Sequence, residues 1–216
     1  GTQGSLLPVA SGLCYSNVCA DNDNVSASFI GEGTLGEGNV YEAMNLSAAL
    51  GLPHVIVCEN NLYSVYSPLT VRQPEGRSIA KMVKAIGLET GTCNGDDIYS
   101  SQKLMQQSVN KVRSGKGPCF LEFSTYRWRE HCGHDFDNNL GYRSEKEFLE
   151  WKAKDPLLNL EESLHKAGKD LSKKVDSIKA SINSEVIAAF EFAESSKFPN
   201  QLEAYHEVYA KEELPK

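Results

Sequence analysis

Glu32 stands between two glycines in the run Gly31-Glu32-Gly33-Thr34, and a carboxamide pair, Asn60-Asn61, follows beyond an amphipathic stretch. A glycine-rich turn at the start of a helix lets backbone N–H groups approach phosphate oxygens, and the helix dipole favours negative charge there. A carboxylate in the same turn is repelled by a phosphate unless a hard cation lies between them. Mg²⁺ is held in this way, by one or two side-chain oxygens together with substrate phosphates. These residue types therefore point to a site for a diphosphate and a divalent metal. Glu32 is one metal ligand, and the Asn pair can supply the other.

The elements that must position these groups are readable in the hydropathy pattern. Val25 to Ile30 is an apolar, β-favouring run, Gly31 to Gly38 is a loop with four glycines, and Val40 to Leu50 carries apolar residues at helical spacing. Leu52-Pro53 ends that helix, and His54 to Cys58 is a short strand of the buried type, with Asn60-Asn61 at its end. Both polar groups then lie at the carboxyl edge of neighbouring strands, where open α/β sheets bind ligands. The alternation continues with a helix over Ser78 to Ile86, a strand over Leu88 to Thr92, a helix over Asp97 to Arg113 after the Asn94-Gly95-Asp96 turn, and a strand over Cys119 to Ser124. This βαβαβ series predicts an α/β fold with a parallel sheet and helices on both faces.

Arg129 to Leu140 is a long polar loop at the same sheet edge, a place where loops are often functional. From Ser144 the pattern becomes helical. Ser144-x-x-Glu147 is a capping box, Asp155-Pro156 starts a second helix, and Asp170 to Ser195 is a long helix. Its stripe runs through Leu171, Val175, Ile178, Ile182, Val186, Ala189 and Phe190 and should pack on the sheet domain or on a partner. The expected division is an α/β domain over residues 1–143 and a helical extension over 144–216.

Composition narrows the function classes. The 216 residues carry a net charge of −7 without a basic block, which argues against nucleic acid as a partner. No apolar run approaches the roughly 20 residues needed to span a bilayer, and no signal peptide opens the chain. The six cysteines are scattered without a Cys-x-x-Cys pair and read as reduced thiols of a cytoplasm or an organelle matrix.

Each candidate has a plainer reading. Glycine turns between strand and helix occur in many α/β proteins, and Asn at a strand end can simply bond its own backbone; one residue of the Asn pair is expected to be structural. His131, Cys132 and His134 resemble a zinc group, but no second cluster stands at finger-like spacing. His54 opens a strand and reads as a satisfied interior imidazole, while His165 and His206 read as surface residues. Arg127 and Arg129 either contact acidic groups of a ligand or pair with neighbouring carboxylates.

The stretch from Gly31 to Pro68, GEGTLGEGNVYEAMNLSAALGLPHVIVCENNLYSVYSP, resembles the thiamin diphosphate signature of the alpha subunits of 2-oxo acid dehydrogenase E1 components. The resemblance extends to Gly1-Thr2-Gln3-Gly4 through Pro8 and Gly12, similar to the family's segment under the aminopyrimidine ring. It also reaches the family's histidine-bearing loop, through Thr125-Tyr126-Arg127, Gly133-His134 and Tyr142-Arg143-Ser144. By that resemblance Glu32, the Asn61 side chain and the Tyr63 backbone carbonyl bind Mg²⁺. Gly33 and Thr34 meet the diphosphate of thiamin diphosphate, Gly31 is cofactor-binding, and Gln3 offers backbone contacts. His134 lies over the active-site mouth as the catalytic histidine, a residue type suited to proton transfer or charge stabilisation.

The same resemblance implies oxidative decarboxylation of a 2-oxo acid with acyl transfer to a lipoyl-bearing acyltransferase. The glutamate that faces the aminopyrimidine ring comes from a beta subunit in an α2β2 assembly, so the chain alone should be inactive. Three departures bear on this. Glu32 stands where pyruvate-using members usually have Asp and branched-chain members have Glu, which leaves the substrate open. Asp135 stands where mitochondrial members often have a phosphorylated serine, and the loop reads Trp128-Arg129-Glu130-His131-Cys132, longer and more polar than usual. Family members also have a further stretch before the position of Gly1. The alternatives are acetoin cleavage or ketol transfer on the same scaffold, or a truncated, non-catalytic module for subunit association.

Overall fold

The computed structural model describes residues 3–206. A short 3₁₀ turn leads into α1 (Leu6–Cys19), followed by β1 (Ser26–Gly31), α2 (Gly38–Ala49) and β2 (His54–Asn60). A small hairpin of β3 (Tyr63–Ser64) and β4 (Ser67–Pro68) precedes α3 (Leu69–Arg72) and α4 (Ile79–Ile86). Then come β5 (Glu89–Asn94), α5 (Ile98–Arg113), β6 (Cys119–Ser124), α6 (Glu145–Lys152), α7 (Pro156–Lys166) and α8 (Ser172–Ser195). The main sheet has the order β1-β2-β6-β5 with every neighbouring pair parallel. The fold is α/β, with a parallel sheet covered by helices on both faces.

The strands are fixed by burial. On one face Ile30, Ile56 and Phe120 pack with Leu7 of α1, Val40 and Met44 of α2, and Val83 of α4. On the other, Val55, Val57 and Leu121 pack with Val112, Leu104 and Val109 of α5. β2 lies inside the sheet and needs apolar residues on both sides, hence the unbroken run from Val55 to Cys58. Each such side chain, fully buried, contributes roughly 1.5–3 kcal/mol. β1 is an edge strand, and Phe29 on it is exposed.

The helix starts follow their local signals. Ser78, Asp97 and Ser144 each accept a hydrogen bond from a backbone N–H three residues on. α1 has no clear sequence pattern, because Pro8 and Gly12 interrupt it, yet Pro8 lies in the first turn, where its missing N–H costs nothing. Residues 32–36, expected as loop, form a 3₁₀ turn, and β2 runs on through Asn60.

His54 is fully buried. Its Nε2 lies 2.7 Å from the Ser28 hydroxyl and its Nδ1 3.2 Å from that of Ser47, which is 3.0 Å from the Ser11 hydroxyl. This satisfies the imidazole in its neutral form, and burial lowers its pKa to about 4. All six cysteines are unbridged, and burial pushes the thiols of Cys14, Cys58 and Cys119 upward, Cys119 to about 11.

The chain divides into two compact units, residues 1–160 and 161–216. The first reaches past the 143/144 boundary expected from sequence, because Phe148 of α6 is buried among Tyr126, Trp128 and Phe136 and Trp151 stacks on Tyr126. In the second, Ile178, Ile182, Val186 and Phe190 of the α8 stripe are exposed. No helix among the described residues is long and apolar enough to cross a membrane.

Candidate functional site

The triplet lies where β1 ends. Gly31 leaves the strand in extended backbone, and Glu32 opens the 3₁₀ turn, 1% exposed, with Thr34 and Leu35 buried beside it. A carboxylate so far from water needs a counter-charge. It has one: Arg72 Nη2 lies 2.5 Å from Glu32 Oε1, and Arg72 Nε donates to the Ser67 carbonyl. Gln3 meets the same turn, its Oε1 accepting from the Thr34 hydroxyl at 3.2 Å, while the Gly4 N–H donates to Glu37. Gly1 and Thr2 of that segment lie outside the described residues.

Beside it, β2 ends in the Asn pair, with Gly31 in register with Glu59. The two asparagines differ. Asn60 is buried, donates from Nδ2 to Glu122 at 2.8 Å and accepts from the Leu62 N–H, so its polar atoms are spent on holding the strand end. Asn61 makes one contact, its Oδ1 accepting from the Tyr63 N–H at 3.0 Å. Unlike Asn60, it makes no hydrogen bond to a neighbouring strand among the described residues.

The turn after Asn61 is strained. Leu62 and Val65 have φ of 69° and 56°, and a β-branched residue with positive φ is a rare, costly conformation. Val65 is held there by tertiary contacts. Its carbonyl accepts from Arg127 Nη2 at 3.0 Å, and the rings of Tyr63 and Tyr66 each pack on Tyr142 at centroid distances of 5.3 and 5.2 Å. The Tyr63 hydroxyl donates to the Glu147 carboxylate, and burial together with that charge pushes its pKa up. Glu147 therefore completes only half of the expected capping box: its N–H caps onto Ser144, while its carboxylate turns to Tyr63. Gly33 lets the hairpin press against the triplet, since a Cβ there would stand 2.6 Å from Ser64 Oγ and 2.8 Å from Ser64 Cβ.

The loop from residue 125 to 143 is anchored from inside. Asp137, 2% exposed, pairs with Arg143 and Arg127 and accepts from the Tyr142 hydroxyl at 2.6 Å. Burial alone would raise the Asp137 pKa; the tyrosine and the two guanidinium groups outweigh it and hold the carboxyl below its ordinary value. Tyr142, donating to that carboxylate, is pushed up to about 12, mainly by burial. Arg127 Nη2 is thus taken up by its own loop and the hairpin, while its Nε and Nη1 are buried without a hydrogen-bond partner among the described residues. Arg129 lies over the Phe136 ring and donates to the His134 carbonyl.

His134 differs from the rest of the expected site. Its side chain is 95% exposed, its nearest charged partner is Asp135 at 3.5 Å, and it makes no hydrogen bond or ion pair with the triplet or the Asn pair. His131 and Cys132 are exposed as well. Among the described residues no group of three or more His, Cys, Asp or Glu side chains is placed to hold a metal.

The structure thus joins Gln3, Thr34, Gly33, Glu32, Asn61 and Tyr63 at the ends of two adjacent strands, and leaves His134 on the outside of a loop. It adds Arg72, Glu122 and Glu147, which carry no spacing signal because each reaches its partner across more than 39 residues.

Comparison with known proteins bears on the whole chain. The family model described as "Dehydrogenase E1 component" matches residues 1–201. The pyruvate dehydrogenase E1 component subunit alpha of Rickettsia bellii is 31% identical over 209 residues, covering 97% of this chain and 63% of its own length. That of Zymomonas mobilis is 31% identical, covering 96% and 58%, and the chloroplastic alpha-3 subunit of Arabidopsis thaliana is 31% identical, covering 96% and 49%. At lower likeness, a solved transketolase from Campylobacter jejuni aligns with a TM-score of 0.47 and 19% identity over 56% of this chain and 19% of its own. The chain spans less than two thirds of the curated relatives it matches. With a family match over almost all of its residues, the chain belongs to the dehydrogenase E1 component family.

Proposed function

We propose that this chain carries the diphosphate and metal half of a thiamin diphosphate-dependent 2-oxo acid dehydrogenase, as the alpha subunit of an E1 component. One observation carries the reading: Glu32, an acid buried to 1% exposure just past the end of β1, lies at the same sheet edge as Asn61, just past the end of the neighbouring β2, whose Oδ1 accepts a single hydrogen bond, from the Tyr63 N–H. The donor set fits the group. Glu32, the Asn61 side chain and the Tyr63 carbonyl are hard oxygen donors of the type Mg²⁺ takes, and the carboxylate already lies against a cation. Gly31, Gly33 and Thr34 then meet the diphosphate, and Gln3 contributes its backbone.

When bound, the cofactor's thiazolium supplies the electron sink for decarboxylation. The chain's own residues hold and orient. Glu32 and Asn61 fix the metal, the strained hairpin sets the Tyr63 carbonyl, and Gly33 keeps hairpin and triplet in contact. His134 is brought over the mouth of the site when cofactor or partner orders its loop, and there moves a proton or stabilises charge on the substrate. A beta subunit completes the cofactor site in an α2β2 assembly, and the acyl group leaves to a lipoyl-bearing acyltransferase.

Titration calorimetry with Mg²⁺ and thiamin diphosphate tests the reading. The wild type should give metal-dependent heat and Glu32→Ala none. No such heat from the wild type would assign the chain to a non-catalytic association module. Reconstitution with candidate beta subunits, comparing pyruvate, a branched 2-oxo acid, acetoin and a ketose, then fixes the substrate; turnover by the chain alone would sink the division of labour between subunits.

A further inference from the structure

The pairing of Glu32 with Arg72 raises a question that ligand assignment does not answer: the oxygen that should hold a divalent cation is already in contact with a monovalent one. Arg72 Nη2 is 2.5 Å from Glu32 Oε1, and the guanidinium is itself mostly buried, 20% exposed. It ends α3, directly after the hairpin that carries Tyr63, and its Nε is tied to the Ser67 carbonyl of that hairpin. A metal ion on Glu32 would meet this guanidinium at contact distance in a dry turn, where repulsion between the two cations is poorly screened. A metal on Glu32 Oε1 therefore requires Arg72 to leave. A guanidinium leaving a buried carboxylate needs another acceptor, and a diphosphate supplies one whose oxygens match the planar fork.

The geometry points to Arg72 as a placeholder cation. It neutralises Glu32 in the unloaded chain, yields that position to the divalent metal, and moves onto the diphosphate that arrives with it. Metal alone leaves the guanidinium without an acceptor, and diphosphate alone leaves Glu32 without a cation, so the two load together. The inference rests on the reading of Glu32 as a metal ligand and adds to it the order of assembly.

The test uses the full chain, with Mn²⁺ as the metal and electron paramagnetic resonance as the readout, with and without thiamin diphosphate. The wild type should bind Mn²⁺ at least tenfold more tightly with thiamin diphosphate present than without it. Arg72→Gln should bind Mn²⁺ alone at least tenfold more tightly than the wild type alone, and most of its dependence on thiamin diphosphate should be gone. A second measurement needs only the wild type: the Nε–H NMR resonance of Arg72, assigned with Arg72→Lys, should stay in place with Mg²⁺ alone and shift when Mg²⁺ and thiamin diphosphate are added together. Unchanged Mn²⁺ affinity in Arg72→Gln, or an Arg72 resonance that ignores joint loading while the wild type binds both ligands, overturns the placeholder role and leaves the proposed function intact. Failure of the wild type to bind Mn²⁺ even with thiamin diphosphate overturns both.

Discussion

The triplet with its hairpin and the loop bearing His134 lie at the same sheet edge but are held in opposite ways. In the first, Glu32 is sealed against Arg72, Asn60 is locked to Glu122, and Gly33 is in contact range of Ser64. In the second, the inner side is bolted by Asp137, while the outer side leaves His134 95% exposed. The triplet and its hairpin are held in place by the chain's own contacts. The position of the histidine is left to whatever covers the loop. Preorganisation is concentrated where charge must be held, and exposure where contact with a substrate or a partner is still to be made.

The sharpest way to break this comparison is within the loop itself. Asp137→Ala leaves two guanidinium groups without their buried carboxylate and should cost about 3–5 kcal/mol of stability in urea unfolding, whereas His134→Ala should stay within about 0.5 kcal/mol. Equal costs would show that the loop is not divided into a bolted inner side and a free outer one.

Beneath the anchor, His54 makes stability depend on pH. Its folded pKa of about 4 lies below the ordinary 6.5, so the unfolded chain binds more protons between these values. Its contribution is complete above pH 6.5 and is lost as pH falls toward 4, amounting to about 3 kcal/mol at 1.36 kcal/mol per unit. Unfolding measured from pH 7 to 4 should show this decline, and the His54 share of it should vanish in His54→Gln.

The smallest expected effect tests the contact of triplet and hairpin. Gly33→Ala should cost about 1–3 kcal/mol by overpacking against Ser64, and the double change with Ser64→Gly should recover most of it, because the nearest remaining atom, the Cα of residue 64, is 3.6 Å from the new methyl. No recovery would mean that the hairpin does not rest on the triplet.

The elements were readable where the signal is local. The strand from Cys119 to Ser124, the helix after Asp97 and the cap at Ser144 follow from alternation and capping chemistry within a few residues. The buried run of β2 identified an interior strand, and His54 within it identified a satisfied imidazole. What stayed hidden had no local mark. α1 is interrupted by a glycine and a proline, Val65 is a residue that no turn rule places at positive φ, and Glu147 spends its carboxylate on Tyr63 rather than on the helix start.

The sequence by itself determined that an acid and a carboxamide end adjacent parallel strands, because period, turn residues and strand length are short-range properties and the sheet edge collects strand ends without further instruction. Only the tertiary structure decided which asparagine is spent on the fold, which cation faces Glu32, and that His134 lies outside while Asp137 is buried. Those outcomes depend on desolvation and on partners brought together across 40 residues for Arg72 and 84 for Glu147, distances over which spacing carries no information.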